Sequence, residues 1–266
     1  MKKLGVLALS IVMILSVFAG CANNAQNDSP LIVGMELAYP PFETKDDNGN
    51  PTGVSVDLAE ALGDYLGRPV QIENTAWDGL IPSLQTGKVD VIISSMTITD
   101  ERSKTVDFSI PYAHAYLALL TNQDSNINSV EDLNQSDKTI AVKKGTTGYI
   151  YATTNLTNAK INTFSSENAC VTEVTQGKAD AFIYDELTIY RQNQKHPDTT
   201  KAVMISSQTG EGWGMAVKKG NTELLTKINE FIKEYKENGG FDKLTEKYLS
   251  EEKQTFDELG FPWFFD

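Results

Sequence analysis

The chain has 266 residues, 40% of them hydrophobic, so it can form one large domain or two modest lobes with separate cores. Its 36 Asp and Glu residues outnumber its 23 Lys and Arg residues, which gives a formal net charge of -13 at pH 7. Such an acidic chain is repelled by phosphate backbones, and this argues against binding to nucleic acid.

The first 20 residues predict a secretory signal peptide. Lys2 and Lys3 precede an apolar run, and the small residues Ala19 and Gly20 follow it, in the order typical of such signals. A retained membrane anchor is the alternative, although the apolar run is short for a spanning helix.

The junction at Cys21 resembles a bacterial lipobox, in which the cysteine receives a diacylglycerol anchor. Phe18 stands where leucine is usual. Residues 21–29 are polar and predict a tether. We therefore expect an extracytoplasmic protein, lipid-anchored to the cell membrane through Cys21. The second cysteine, Cys170, is interpreted as a small, semi-buried helical residue.

From Pro30 onwards, predicted strands and helices alternate. Apolar side chains recur at helical spacing in the segment that begins at Val56. Buried strands are expected at 31–37, 70–75 and 90–94, and helices at 56–67 and 78–87. This alternation predicts parallel sheets covered by helices, which is an α/β fold.

The same order repeats in the second half of the chain. The segment Gly87-Lys88-Val89-Asp90 matches Gly177-Lys178-Ala179-Asp180, and this match places Ser95 opposite Asp185. In open α/β sheets, ligands bind beyond the carboxyl ends of the strands. Two such halves that face each other predict a cleft with polar groups on both sides.

Two extended apolar segments predict crossover strands between the halves, the second of them rich in glycine. We expect lobe 1 to comprise residues 30–114 and 212–266, and lobe 2 residues 115–211. Lobe 1 is then discontinuous in sequence, which suits hinge closure. The aromatic tail, residues 250–266, is expected to pack on lobe 1 because its side chains would otherwise face solvent.

Arg102 is the first candidate for binding chemistry. It lies in the first turn of a short predicted helix that follows a buried strand. Its guanidinium fork matches a carboxylate, and the hydroxyls of Ser95 and Thr97 can complete an anion site. The alternative is a surface arginine paired with Glu101 or Asp107.

Two candidates belong to the second half. Asp185 ends an apolar strand, where a lone buried acid is costly and a cationic partner would offset the cost. It also suits a helix N-cap, and the two roles are compatible. Thr147 opens a helix whose N–H groups form an anion site, with an ordinary N-cap as the alternative.

Three candidates follow strands of the first half. Tyr39 and Trp77 are placed to sandwich a ligand side chain, with core packing as the alternative. Glu36 is placed to accept a hydrogen bond from the distal end of a ligand, with a solvated loop carboxylate as the alternative.

No enzyme constellation stands out in the sequence. Neither His114 nor His196 has a Cys or His neighbour at metal-ligand spacing, and the Walker, GxGxxG and GxSxG motifs are missing. We expect neither a metal nor a cofactor.

Five stretches together, among them YPPF, WDGLIPSLQTGKVDVIISSMTITDERSKTVDFSIPY and GKADAFIYDE, resemble the bacterial extracellular solute-binding proteins of family 3. These are the amino-acid receptors of ABC importers. The resemblance covers roughly residues 31–249. It implies a two-lobed fold of the type II periplasmic-binding-protein kind, in which two hinge strands join lobes that close on one ligand, and it implies a monomer.

The resemblance also implies roles for nine residues. Anion-binding groups then face a cation acceptor, as a zwitterionic α-amino acid requires. The implied contacts are Arg102 and Thr97 with the carboxylate, Ser94 and Ser95 at the strand end, Thr147 at the helix start, Asp185 with the ammonium, Tyr39 and Trp77 as stacking rings, and Glu36 as reader of the side chain.

A glutamate at that position suits a ligand whose side chain donates hydrogen bonds, such as arginine, lysine, histidine or glutamine. The expected function is delivery of such an L-amino acid to an ABC permease by cleft closure. The alternative is an enzyme like cyclohexadienyl dehydratase, because a few similar proteins dehydrate cyclic precursors of aromatic amino acids. Glu36 is the nearest candidate for its general acid.

Overall fold

A computed structural model describes residues 29–205 and 210–266. The predicted signal peptide, Cys21 and the tether up to residue 28 lie outside the described residues. Within the described ranges, no helix combines the length and apolar character that crossing a membrane requires.

Strands in the described chain form two five-stranded sheets and two small ribbons. In chain order they are β1 (Leu31–Met35), β2 (Thr44–Lys45), β3 (Pro51–Thr52), β4 (Val70–Asn74), β5 (Val91–Ile92), β6 (Val106–Phe108), β7 (Ala113–Ala115), β8 (Leu117–Asn122), β9 (Thr139–Lys143), β10 (Lys160–Phe164), β11 (Ala181–Asp185), β12 (Thr200–Met204), β13 (Glu211–Trp213) and β14 (Ala216–Lys218).

Helices cover the sheets, and several begin at a residue whose side chain accepts a hydrogen bond from the first turn, as Thr146 and Ser166 do. They are α1 (Val54–Leu66), α2 (Leu80–Thr86), α3 (Asp100–Ser103), α4 (Thr147–Asn155), α5 (Glu167–Thr175), α6 (Glu186–Lys195), α7 (Thr222–Glu237), α8 (Gly240–Tyr248) and α9 (Ser250–Leu259), with 3-10 turns at Trp77–Gly79 and Glu131–Leu133.

Each large sheet is mixed rather than purely parallel. The strand orders are β4-β1-β5-β14-β6 and β10-β9-β11-β8-β12. The pairs β1/β4, β1/β5, β9/β10 and β9/β11 are parallel, as the alternation predicts. Strands β14 and β8 run antiparallel to their neighbours, because each follows directly on a crossover segment and enters its sheet from the opposite end. The predicted parallel pairing is therefore present in both sheets, and each sheet adds antiparallel pairs that the alternation does not predict.

The repeat seen in the sequence has a common structural role. Asp90 accepts a hydrogen bond from the N–H of Ile32 at 3.0 Å, and Asp180 accepts one from the N–H of Thr139 at 2.8 Å. Each aspartate thus ties the start of its own strand to the start of the neighbouring strand. This fixes the register of both halves and brings Ser95 and Asp185 to the carboxyl edges of their sheets.

The two crossover segments pair as a short antiparallel ribbon between the sheets. In it β7 lies beside β13, with Ala115 opposite Glu211 and Ala113 opposite Trp213. This ribbon completes the type II two-lobed architecture that the sequence predicts. The predicted lobe boundaries fall within these two strands.

The C-terminal tail packs on lobe 1, as predicted. Phe256, Trp263, Phe264 and Phe265 are buried in the same apolar cluster as β1 and α1. The Phe264 ring stacks on Trp213 with centroids 5.7 Å apart. The backbone carbonyl of Phe264 accepts a hydrogen bond from the backbone N–H of His114 at 2.7 Å. The tail therefore braces both strands of the ribbon that joins the lobes.

Candidate ligand-binding site

A single cavity between the lobes brings together all nine residues that the sequence singles out. It encloses about 510 Å³ of space, part of it open to solvent. Glu36 follows β1, Ser94 and Ser95 follow β5, and Asp185 ends β11, so the carboxyl edges of both sheets face it. Residues that the sequence analysis did not single out also line it, among them Glu43, Tyr116, Thr146, Tyr184, Glu211 and Trp213.

Arg102 is buried, with 8% of its surface exposed. Its Nη1 donates to the carbonyl of Thr97 at 2.6 Å, and its Nη2 donates across the cleft to the carbonyl of Gly145 at 3.0 Å. A guanidinium has five N–H donors, so donors are left for a ligand. Burial lowers the pKa of Arg102 to about 10. This value is still well above neutral pH, so the guanidinium is charged there.

The alternative of a surface arginine does not hold in this structure. Glu101 pairs with Lys104 at 2.6 Å, and Asp107 pairs with Lys219 at 2.6 Å. Arg102 instead faces the cavity, with its guanidinium carbon 5.3 Å from the centroid of the Trp77 ring.

Asp185 caps helix α6, which is one of the two roles predicted from the sequence, and it also lines the cavity. Its Oδ1 accepts from the N–H of Thr188 at 3.0 Å, which caps α6. Its Oδ2 is buried and has no hydrogen bond of normal geometry from residues 29–205 or 210–266, although the Tyr39 hydroxyl lies close to the carboxylate. Burial raises the pKa of Asp185 above its ordinary value. A buried carboxylate oxygen at a cavity wall requires a donor, and a ligand ammonium would supply one.

Glu36 is ion-paired rather than solvated. Its carboxylate contacts the ammonium of Lys143, whose side chain is only 4% exposed and lies at the end of β9. It also accepts from the N–H of Trp77 at 3.3 Å. Lys143 was missed in the sequence analysis, although a lysine at the carboxyl end of a buried strand occupies the same kind of position as Asp185.

The two predicted stacking rings have different surroundings. Tyr39 is buried and stacks on Phe42 with centroids 5.2 Å apart, so core packing and cavity lining both apply to it. Trp77 is half-buried, and the Lys143 ammonium lies 5.7 Å from its centroid, on a ring that Arg102 also contacts. The indole thus lies against both cations of the site.

The strand-end serines donate their hydroxyl hydrogens to Glu43. Ser94 donates at 3.2 Å and Ser95 at 3.0 Å, and Ser55 adds a third bond at 2.6 Å. Ser94 Oγ also accepts from the N–H of Glu36 at 3.0 Å. The Ser95 hydroxyl, whose hydrogen is donated to Glu43, presents lone pairs to the cavity, which suits an ammonium better than a carboxylate. Glu43 lies in a polar stretch, and no local sequence signal marks it as buried.

Burial raises the pKa of Glu43 from 4.5 to about 8. Between these values the folded protein holds a proton that the unfolded chain releases, so the free energy of unfolding falls as pH rises. Glu43→Gln keeps a neutral group and should remove about 1–3 kcal/mol of that fall between about pH 5 and pH 9. Urea unfolding of both proteins at the two pH values measures this, and equal falls would show that Glu43 does not titrate there.

Glu211 is the second missed acid, and it lies among the predicted anion-binding groups. Thr97 Oγ1 donates to its carboxylate at 3.2 Å, and Arg102 and Thr147 lie close to it. Burial raises the pKa of Glu211, although the two threonine hydroxyls and the Arg102 charge oppose that rise.

No cluster of three or more potential metal ligands occurs among residues 29–205 and 210–266. The site therefore offers charge complementarity and hydrogen bonds from these side chains. Two mixed sheets joined by a paired ribbon, with a charged cavity between them, define a two-lobed solute-binding protein of the type II periplasmic class.

The chain belongs to the bacterial extracellular solute-binding proteins, family 3, whose family model matches residues 31–251. It is 32% identical to the L-cystine-binding protein TcyJ of Escherichia coli K12, over 92% of this chain and 94% of that protein. It is 33% identical to the L-arginine-binding protein of Pseudomonas aeruginosa, over 94% and 97%.

A similar solved structure bears on the enzyme alternative. The ancestral amino acid-binding protein AncCDT-1, described as a precursor of cyclohexadienyl dehydratase, is 43% identical to this chain. The match has a TM-score of 0.75 and covers 83% of this chain and 95% of that one. This relative and the two curated ones are all described as binding proteins.

Proposed function

We propose that this protein binds one polar or basic L-amino acid between its lobes and delivers it to an ABC permease. One observation carries the proposal. Arg102 and the unpartnered oxygen of Asp185 face the same cavity, so an anion-binding group and a cation acceptor are both within it. A zwitterionic α-amino acid has the complementary pair of charges.

Closure about the β7/β13 ribbon supports capture of the ligand. In the described chain, these side chains already make contacts from one lobe to the other: Arg102 with Gly145, Lys143 with Glu36, and Arg191 with the carbonyl of Pro40 at 2.8 Å. We take lobe 1 as residues 30–114 and 212–266, and lobe 2 as residues 115–211. The protein acts as a monomer outside the cytoplasm, and a lipid on Cys21 anchors it to the membrane. Membrane fractionation of a Cys21→Ser variant tests the anchor.

A thermal-shift panel of the standard L-amino acids and L-cystine, followed by calorimetry, tests the proposed function. We expect 1:1 binding without turnover, and the largest shifts for arginine, lysine, histidine, glutamine or cystine. If no member of the panel shifts the melting temperature, the proposed function is wrong.

The Glu36–Lys143 pair bears on which side chain is preferred. Lys143 neutralises Glu36 and places a second positive charge beside any cationic ligand side chain that reaches it. Lys143→Met frees the Glu36 carboxylate, so the ratio of arginine to glutamine affinity should rise about tenfold. Calorimetry with both amino acids measures the ratio, and the exposed neighbour Lys144→Met serves as the matched control. An unchanged ratio would show that Glu36 does not contact the ligand side chain.

The enzyme alternative requires a protonated general acid in the cavity. Glu36, the candidate from the sequence, has its carboxylate in an ion pair with Lys143. Glu43 has the raised pKa that a general acid needs, but three serine hydroxyls already surround it. Incubation with a cyclohexadienyl precursor of an aromatic amino acid tests the dehydratase activity. Formation of the dehydrated product would establish that the protein is an enzyme.

A further inference from the structure

The groups assigned to the ligand carboxylate already surround a carboxylate of the protein. Glu211 Oε2 accepts the hydrogen of the Thr97 hydroxyl at 3.2 Å, with Thr147 and Arg102 close by. Thr97 and Arg102 belong to lobe 1, Thr147 opens α4 of lobe 2, and Glu211 begins the strand that joins the lobes. Glu211 thus lies at the junction of the three segments that would hold an α-carboxylate.

We propose that Glu211 competes with the carboxylate of an incoming amino acid for Thr97, Thr147 and Arg102, and that binding is therefore coupled to uptake of a proton by Glu211. This inference rests on the proposed function, since it concerns the same cavity. It makes Glu211 a determinant of affinity rather than a passive part of the hinge.

Hydrogen-bond geometry supports competition. The Thr97 hydroxyl has one hydrogen, and it is donated to Glu211. An α-carboxylate that takes this hydrogen removes the Thr97 donor from Glu211, in a site where the residue is half-buried. Two carboxylates near one guanidinium also repel each other, and protonation of one relieves both problems.

The charges around Glu211 favour its protonation when a second carboxylate arrives. Among the described residues, the titratable groups that face it are Arg102, Asp185 and Glu186, so one guanidinium and two further carboxyl groups lie near it. Tyr116 packs beside the adjoining Gly210. Burial already raises the pKa of Glu211, and a ligand carboxylate raises it further. The complex therefore binds a proton that the free protein releases, and affinity should fall as pH rises above the pKa of the free protein.

Calorimetry of Glu211→Gln tests the proposal with the amino acid that binds the wild type best, L-arginine and L-glutamine being tried first. The amide carries no charge, so affinity at about pH 8 should increase roughly tenfold, and its decline between about pH 5 and pH 8 should disappear. For the wild type, the binding enthalpy should differ between phosphate and Tris buffers by an amount that indicates proton uptake. Glu173→Gln is the matched control, because Glu173 pairs with Lys178 at 4.0 Å and does not line the cavity.

A double-mutant cycle with Thr97→Val separates competition from a general electrostatic effect. Without the Thr97 hydroxyl, the gain from Glu211→Gln should shrink severalfold. Unchanged or weaker binding by Glu211→Gln overturns the proposal, and so does a wild-type enthalpy that is independent of buffer. The buffer test needs no variant and therefore holds even if Glu211→Gln folds poorly. Wild-type binding without these effects refutes the competition alone, whereas failure of the wild type to bind any amino acid refutes the proposed function itself.

Discussion

Arg102→Ala should abolish binding of every amino acid, whatever its side chain, with a loss of at least about 1000-fold, or about 4 kcal/mol. The reason is that the guanidinium is the cation that faces the carboxylate end of the cavity and still has free N–H donors. Arg102→Lys keeps the charge but loses the fork, so we expect a smaller loss of about 10- to 100-fold. Calorimetry with several amino acids measures both variants.

Arg191→Ala is the matched control for this prediction. Arg191 also reaches across the boundary between the lobes, to the carbonyl of Pro40, but it does not line the cavity. Its removal should change affinity by less than about threefold. Urea unfolding of each variant must accompany the titrations, because Arg102 also holds two backbone carbonyls. A well-folded Arg102→Ala protein that still binds amino acids would remove Arg102 from the carboxylate role.

Asp185→Asn should weaken binding by about 100-fold or more while leaving the free energy of unfolding almost unchanged. Asparagine caps helices as well as aspartate does, so the bond from the Thr188 N–H and the start of α6 are retained. The variant loses only the charge that the ligand ammonium requires. Asp185→Ala loses the cap as well, and it should be less stable than Asp185→Asn by about 1 kcal/mol.

Comparison of these two variants separates the roles of Asp185. If Asp185→Asn binds amino acids as tightly as the wild type, the residue serves α6 alone and the ammonium site lies elsewhere. If it loses affinity together with several kcal/mol of stability, the loss reflects folding rather than recognition. Calorimetry and urea unfolding of the same preparations distinguish these outcomes.

The placement of the nine predicted residues follows from local sequence. Helix–strand alternation indicates where each strand ends, and Asp90 and Asp180 each tie two strands of their own sheet together. The carboxyl ends of parallel strands share one edge of their sheet, so Ser95 and Asp185 lie at the corresponding edges of two sheets, and both line the cavity. The direction of β8 and β14 could not be obtained in this way, because it depends on how the crossover segments enter the sheets.

The missed residues have partners that are distant in the sequence. Glu43 is buried only because Ser55, Ser94 and Ser95 converge on it. Glu211 lies in a glycine-rich crossover, and its partner Thr97 is 114 positions away. Lys143 pairs with Glu36, 107 positions away. Local sequence patterns predict which ends of the strands carry polar side chains. The pairing of individual charged side chains depends on how the two lobes pack against each other.

We expect the cavity to recognise both charged groups of an α-amino acid. Calorimetric titration of the wild-type protein with the best-binding amino acid and with its decarboxylated amine, such as L-arginine and agmatine, measures what the carboxylate contributes. The amine retains the side chain and the ammonium but offers nothing to Arg102. We predict 1:1 binding of the amino acid and a loss of at least about 1000-fold for the amine. Equal affinity for the two compounds would contradict the assignment of the site.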